Sequence, residues 1–418
     1  MRKQALALVG ASAILLSLVG CSGGTSGGSK ATEISYAHWG NQAEADTIAT
    51  MVKAFEKAHP SITVDDQWLQ GDYEAQVRTA IAGGKAPTVF QVSDQSVRSF
   101  ATSLQDVEVT PSAYYNDNAA NTMKVSKAYK AVPFVAKPKV LLYNGKLLDA
   151  AGVPRPSADT PMTTEQFVDA AKKLTSGSGA KKVFGSAPLW FEGFLSVNKT
   201  GFFNQAGTKC LLDSTKVIDT AKMVISAQKA DGYVPTPDEA QGQDMFQWLS
   251  TGRVAMQPDF GPWDIAKLAA LGDPDINVAP DPGGGEPLEI DGLGITKDSK
   301  AAETKAATTF INFMSTSTQA QNLLTTKKSS LGVPVIEKSV ESFKANAPDL
   351  NLAAFVTAVG QNASPVAVPN KGEILKSFWD TANAKTGLGS GSDDPATVFP
   401  TLQSGCQSSL DKLIKSEK

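Results

Sequence analysis

Between residues 33 and 93 the hydrophobic pattern changes period at every element, and this alternation constrains the fold more than any other feature of the chain. Ile34, Tyr36 and His38 alternate with Ser35 and Ala37, the two-residue repeat of a strand running to a turn at Gly40. Ile48, Met51, Val52 and Phe55 then recur at i, i+3, i+4 and i+7, one apolar stripe of a helix that Pro60 ends. SITVDDQW predicts a second strand, YEAQVRTAIAGG a second helix closed by glycines, and APTVFQVS a third strand with a continuous apolar run. Strand, helix, strand, helix, strand implies an α/β unit on a largely parallel sheet.

The alternation returns downstream. TTEQFVDAAKKLTSG carries Thr163 and Gln166 at capping-box spacing, followed by Phe167, Ala170, Ala171 and Leu174 at helical spacing. STKVIDTAKMVISAQKADG and AAETKAATTFINFMS read as further helices, and GRVAMQPDF as a strand. The stretch from Pro395 to Lys418 reads as partly helical, and GLGSGSDDP at 387–395 as an exposed loop. PDPGGGEP at 280–287 is a long turn; its glycines lack the spacing of a phosphate-binding loop. Asp273, Asp275 and Asn277 echo a calcium loop, but Val278 stands where its glycine is required, so a polar loop is expected.

The N-terminus has another logic. Arg2 and Lys3 precede an apolar run from Ala5 to Val19, which ends in Leu18-Val19-Gly20-Cys21. A basic start, a short apolar run and small residues before a cut site predict a secretory signal peptide over residues 1–20. Small residues followed directly by Cys resemble a bacterial lipoprotein signal, which implies that Cys21 is lipidated, with palmitate among its acyl chains, and becomes the new N-terminus. Residues 21–31, rich in Gly and Ser, would then tether a folded body outside the cytoplasm to the cell membrane.

Cleavage before Cys21 leaves 398 residues, enough for about two domains. Those residues carry 37 Lys and Arg against 42 Asp and Glu, a mildly acidic balance that argues against nucleic acid as a partner. His38 and His59 are the only histidines, so no His-rich metal site and no cofactor are expected. Once Cys21 is set aside, Cys210 and Cys406 remain, either as a disulfide of an exported protein or as two separate buried thiols.

Several segments, taken in order, carry a resemblance: FEKAHPSITV, GDYEAQVRTAIAGGKAPTVFQVS, VPFVAKPKVLLYNGKLLDAAGV, TTEQFVDAAKKLT, FQWLSTGRVAMQPDFGPW, GLGITKDSKAAETKAATTFINFMST and LGVPV. Together they resemble the extracellular solute-binding proteins of the maltose-binding type, the carbohydrate-capturing subunits of ABC importers. The likeness runs from about Ile34 to Trp379. The chain departs from the family pattern at Pro87-Thr88, Tyr143-Asn144-Gly145 and Thr164. The resemblance implies a two-lobed periplasmic-binding-protein-like α/β fold with a ligand cleft between lobes joined by crossing segments. Residues 32–136 plus 293–340 would form lobe 1, and 137–292 plus 341–418 lobe 2, with both Cys210 and Cys406 in the second. It also implies a monomer that is not an enzyme, that captures a mono- or oligosaccharide by hinge closure, and that delivers it to the transmembrane subunits of a permease.

A sugar presents apolar C–H faces to flat aromatic rings and an equator of hydroxyls to carboxylates and amides, because a buried unpaired polar group costs about 1–3 kcal/mol. Trp39 follows the first strand, and Gln91 and Asp94 end or follow the third, at the carboxyl ends where sheet ligands gather. Carried over from the family, Trp263 in Gly261-Pro262-Trp263 is a stacking position, Trp190 and Glu192 form a contact segment, Lys137 is a polar contact at the first crossing, and Trp379 is a late aromatic contact. Asp259 lies just upstream of Trp263. Trp248 reads as core, whereas Trp68 suits either role.

Three other readings compete. A secreted glycoside hydrolase would need two carboxylates set across a glycosidic bond, which no spacing here demands. An anionic solute such as a glycerol phosphodiester would favour arginines, which are scarce. A cation such as a polyamine would favour aromatic rings with several acids.

Overall fold

The computed structural model describes residues 31–114, 117–285, 288–326, 330–361, 368 and 371–416. The expected signal peptide and Cys21 lie outside them. Among the described residues no helix is long and apolar enough to cross a membrane.

The first α/β run folds as its periodicity dictates. Strand β1 (Thr32–His38), helix α1 (Gln42–Ala58), strand β2 (Ile62–Trp68), helix α2 (Tyr73–Ala82) and strand β3 (Val89–Ser93) follow in order. Asn41 and Glu44 close a reciprocal cap on α1: Glu44 N–H donates to Asn41 Oδ1 at 3.0 Å, and Asn41 N–H donates to Glu44 Oε2 at 2.8 Å. Ile48, Met51, Val52 and Phe55 are all buried, each contributing about 1.5–3 kcal/mol if fully removed from water.

The next strands are β4 (Val132–Lys137) and β5 (Val140–Asn144), separated only by Pro138 and Lys139. Helix α3 (Thr164–Leu174) begins with the Thr163–Gln166 capping box. Strand β6 (Phe184–Ser186), helices α4 (Phe191–Val197) and α5 (Thr215–Gln228), and strands β7 (Val254–Phe260), β8 (Ile276–Ala279) and β9 (Glu289–Ile295) follow. Helices α6 (Ala301–Thr316), α7 (Lys371–Lys385) and α8 (Pro395–Ser416) lie towards the C-terminus.

These strands form two sheets, the floors of a two-lobed α/β architecture. The first has the order β2-β1-β3-β9-β4 and the second β8-β5-β7-β6. In the first sheet β1 pairs parallel with β2 and β3, while β9 runs antiparallel to both β3 and β4. The sheet is therefore largely parallel with one reversed strand. Helix α6 covers it, with Phe310 5.0 Å edge-on from Phe55. In the second sheet β5 is the strand that runs against its neighbours.

The chain passes between the sheets at Lys137-Pro138-Lys139 and again between β8 and β9. A later segment returns beside β4, where Ala136 and Val333 exchange backbone hydrogen bonds of 3.0 and 2.8 Å.

Cys210 and Cys406 are disulfide-bonded and join helix α8 to the segment after α4. Gln407 Oε1 accepts from Cys210 N–H at 2.9 Å, and Gln403 Nε2 donates to Cys210 O at 2.7 Å. The stretch 387–395 is not a wholly exposed loop. Gly387 is buried on α5, where a Cβ would lie 2.7 Å from Ile225 Cγ2, and Lys229 Nζ donates to Gly391 O at 3.0 Å. Asp273 and Asp275 are engaged by Lys146, and Asp275 also by Arg155.

Candidate functional site

Trp39 and Trp263 come from different sheets and meet the same three-residue crossing. Trp39 leaves the end of β1, and Trp263 follows the end of β7. Lys137 Nζ lies 5.7 Å from the Trp39 ring centroid and Lys139 Nζ 4.5 Å from that of Trp263. Trp39 stands edge-on to Tyr73 at 4.9 Å, and Tyr73 Oη lies 2.8 Å from Gln91 O. His38 fixes the approach to Trp39: its Nε2 lies 3.1 Å from Asp66 Oδ1 and its Nδ1 3.1 Å from Trp39 O. On the other side, Ser330 Oγ donates to Trp263 O at 2.9 Å, and a Cβ on Gly261 would lie 2.2 Å from the Trp263 ring. Gly261 is thus required by close approach rather than by a turn.

Lys137 sits in a fully made ion cluster. Its Nζ lies 3.1 Å from Glu44 Oε1 and 3.0 Å from Asp291 Oδ2, all three side chains being buried. Burial pulls the ammonium pKa down, but Asp291 and Glu44 outweigh it and hold it above the ordinary lysine value. Glu44 therefore caps α1 with one oxygen and pairs Lys137 with the other. Gln91 is fully buried; its Nε2 donates to Asp291 Oδ2 at 2.9 Å, and Tyr36 Oη donates to its Oε1 at 3.4 Å. In this arrangement Gln91 and Lys137 orient Asp291.

Lys139 bridges the crossing to the second sheet. Its Nζ lies 3.5 Å from both Asp259 Oδ1 and Glu289 Oε1. Asp259 adopts φ of 62°, a left-handed conformation uncommon for a residue with a side chain. The cause is local: Pro258 and Asp259 together oppose Leu141 alone between the pairs Gln257–Leu142 and Phe260–Val140. Such a bulge redirects a side chain out of the strand alternation. Asp281, just before the glycine turn, is buried nearby; burial and the Asp259 charge push its carboxyl up to about 8.

Asp94 is the other buried acid. Burial, then Glu289 and Asp291, raises its pKa well above the ordinary carboxyl range, with the amides of Ile290 and Gln95 acting against the shift. Neither of its carboxyl oxygens has a partner in hydrogen-bond geometry among the described residues. Lys371, at the start of α7, senses the Asp94 charge and forms an ion pair with Glu192 on α4; burial brings its ammonium down to about 8. Trp190 stands 40% exposed at the head of the same α4. Trp379 is half-buried and stands edge-on to Phe378, Phe202 and Phe191 at 5.3, 5.5 and 6.0 Å. Trp248 is packed against the core, as its helical neighbours implied, and Trp68 Nε1 donates to Gly40 O at 2.9 Å.

The assembly thus links Trp39, Asp94, Lys137, Asp259, Trp263 and the Glu192–Lys371 pair. It adds residues that no motif singled out: Glu44, Lys139, Asp281, Glu289, Asp291 and Lys371. Pro138 flanked by two lysines could have flagged Lys139; nothing local marks Lys371.

The family model for bacterial extracellular solute-binding proteins matches residues 39–321, which include both tryptophans and every strand from β2 to β9. The chain belongs to this family. Among relatives, it is 29% identical over 206 residues to the Bacillus subtilis melibiose/raffinose/stachyose-binding protein MelE, an alignment covering 48% of this chain and 46% of that protein. The chain thus covers less than half the length of the curated relatives it matches. Among solved structures, an ABC substrate-binding protein from Listeria monocytogenes in complex with cycloalternan superposes with a TM-score of 0.75 at 24% identity, covering 93% of this chain and 99% of that one. The GacH receptor of Streptomyces glaucescens, solved unliganded and with acarbose, gives 0.72 at 22% identity, covering 92% and 99%. In this solute-binding protein, the charged crossing therefore lies where two lobes of a shared fold meet.

Proposed function

We propose that this solute-binding protein is the capture subunit of an ABC-type sugar importer. One observation carries the reading: two tryptophans, one from each sheet, converge on the crossing beside a ring of carboxylates. Aromatic faces suit the C–H faces of a sugar, and carboxylates suit its hydroxyls. The relatives' names add to the argument, since they bind melibiose, raffinose, stachyose, cycloalternan and acarbose.

In this reading residues 32–136 plus 293–340 form one lobe and 137–292 plus 341–418 the other. Ligand contacts from both lobes stabilise the closed form, which a ligand touching one lobe alone would not. Trp39, Asp94, Asp259 and Trp263 contact the sugar, Gln91 and Lys137 position Asp291, and Glu192, Trp190 and Lys371 border the site. Trp379, half-buried beside Phe191 of α4, is a late aromatic contact. The closed, loaded form presents its surface to the permease subunits. Lipid on Cys21 and the Gly/Ser tether hold the protein, as a monomer, at high local concentration beside that permease.

A thermal-shift screen of mono- and oligosaccharides tests the reading. A sugar at one hundred times its dissociation constant adds about 2.7 kcal/mol of stability. Recovery of the sugar unchanged supports capture, whereas hydrolysis would favour a glycosidase.

A further inference from the structure

The charge balance of the crossing points beyond a neutral sugar. Among the described residues, three ammonium groups of the site pair with five carboxylates: Glu44 and Asp291 on Lys137, Asp259 and Glu289 on Lys139, and Glu192 on Lys371. Among the described residues the two remaining acids, Asp94 and Asp281, form none of these ion pairs, although the charge of Lys371 acts on Asp94 and that of Lys139 on Asp281. Each is at most 3% exposed, and none of their four carboxyl oxygens has a partner in hydrogen-bond geometry among the described residues. A buried carboxyl in this state either keeps its proton or awaits a cation. A neutral polyol can hydrogen-bond to either form of such a carboxyl, whereas an ammonium favours the ionised one.

The aromatic rings already face positive charge. Both Trp39 and Trp263 already have an ammonium over the ring, at 5.7 and 4.5 Å, the geometry of a cation–π contact. The site thus combines indole rings that already carry an ammonium with two buried acids outside the ion pairs.

We propose that the captured solute is an amino sugar, and that its protonated amine is received by Asp94. This inference rests on the sugar-importer reading and narrows its substrate class. Around Asp94 the relevant charges are Glu289 and Asp291 on β9 and Lys371 on α7. An ammonium held at Asp94 would favour the ionised carboxylate, as an opposite charge within hydrogen-bond reach does.

The experiment is isothermal titration of the mature protein with sugar pairs that differ only in an ammonium or a hydroxyl: glucosamine and glucose, galactosamine and galactose, and the β-1,4-linked glucosamine disaccharide and cellobiose. Maltose, maltotriose, melibiose and raffinose extend the neutral set. At about pH 7, the amino member of at least one pair should bind about tenfold or more tightly than its neutral partner. Asp94→Asn should erase that preference. The comparison within each sugar pair is made on the unmodified protein, a readout that does not depend on how the variant folds. Neutral members binding as tightly as amino members, or a preference that survives in folded Asp94→Asn, would overturn the inference and leave the sugar-importer reading intact. Silence from every carbohydrate would overturn both.

Discussion

Lys137 Nζ lies 3.0 Å from Asp291 Oδ2, with both side chains buried at the point where the chain leaves the first sheet. Glu44 completes the cluster from the head of α1, 93 residues away in sequence. Strand, crossing and helix are thus held by one ammonium.

Removing that ammonium leaves two buried carboxylates facing each other. Lys137→Met should lower unfolding free energy by about 3–5 kcal/mol, the cost of breaking a buried ion pair from one side. Urea denaturation measures it. A loss below about 1 kcal/mol, the range of exposed pairs, would show that the cluster is solvated.

The Cys210–Cys406 bond closes a sequence separation of 196 residues. Chain entropy alone assigns such a crosslink about 5 kcal/mol, and measured native bonds fall at about 2–5 kcal/mol. Gln403 and Gln407 also tie α8 to the same segment through hydrogen bonds that involve neither sulfur. The Cys210→Ser, Cys406→Ser double variant should therefore fold with a lower denaturation midpoint, and added reductant should lower the midpoint of the unmodified protein to match.

Asp281 makes a signed prediction about pH. Its folded pKa, about 8, stands far above that of an unfolded aspartate, about 4, so the folded state holds the proton longer. Between these values the folded state binds more protons than the unfolded one, and stability falls as pH rises. The group's contribution is complete below about pH 4 and lost as pH passes about 8. Asp281→Asn removes the titration, so the thermal midpoint of the variant minus that of the parent should increase from pH 5 to pH 8. A difference constant with pH would contradict the burial of this carboxyl.

What the sequence revealed was local. The apolar stripe of α1, the capping box of α3, the strand ending at Trp39 and the strand ending near Trp263 follow from spacings within about one turn or one pleat. The reversed direction of β9 did not, because local periodicity is blind to which strand a segment will pair with. The left-handed Asp259 depends on a bulge, hence on register with β5. The partners of Lys137, Asp291 and Gln91 are separated by about one to two hundred residues, and the buried acids became evident only when the chain brought them together. For Trp379 the motif position marked ligand contact, and only the folded chain adds that its half-buried ring stands edge-on to three phenylalanines.

The most direct test of sugar capture between the two sheets is calorimetric titration of the best carbohydrate from the screen into the parent protein and the Trp39→Ala and Trp263→Ala variants. Saturable one-to-one binding, weakened about tenfold or more by each substitution, is the predicted result, since either ring is needed to hold both lobes on the ligand. Affinity unchanged in both variants, or no carbohydrate binding to the parent, would contradict it.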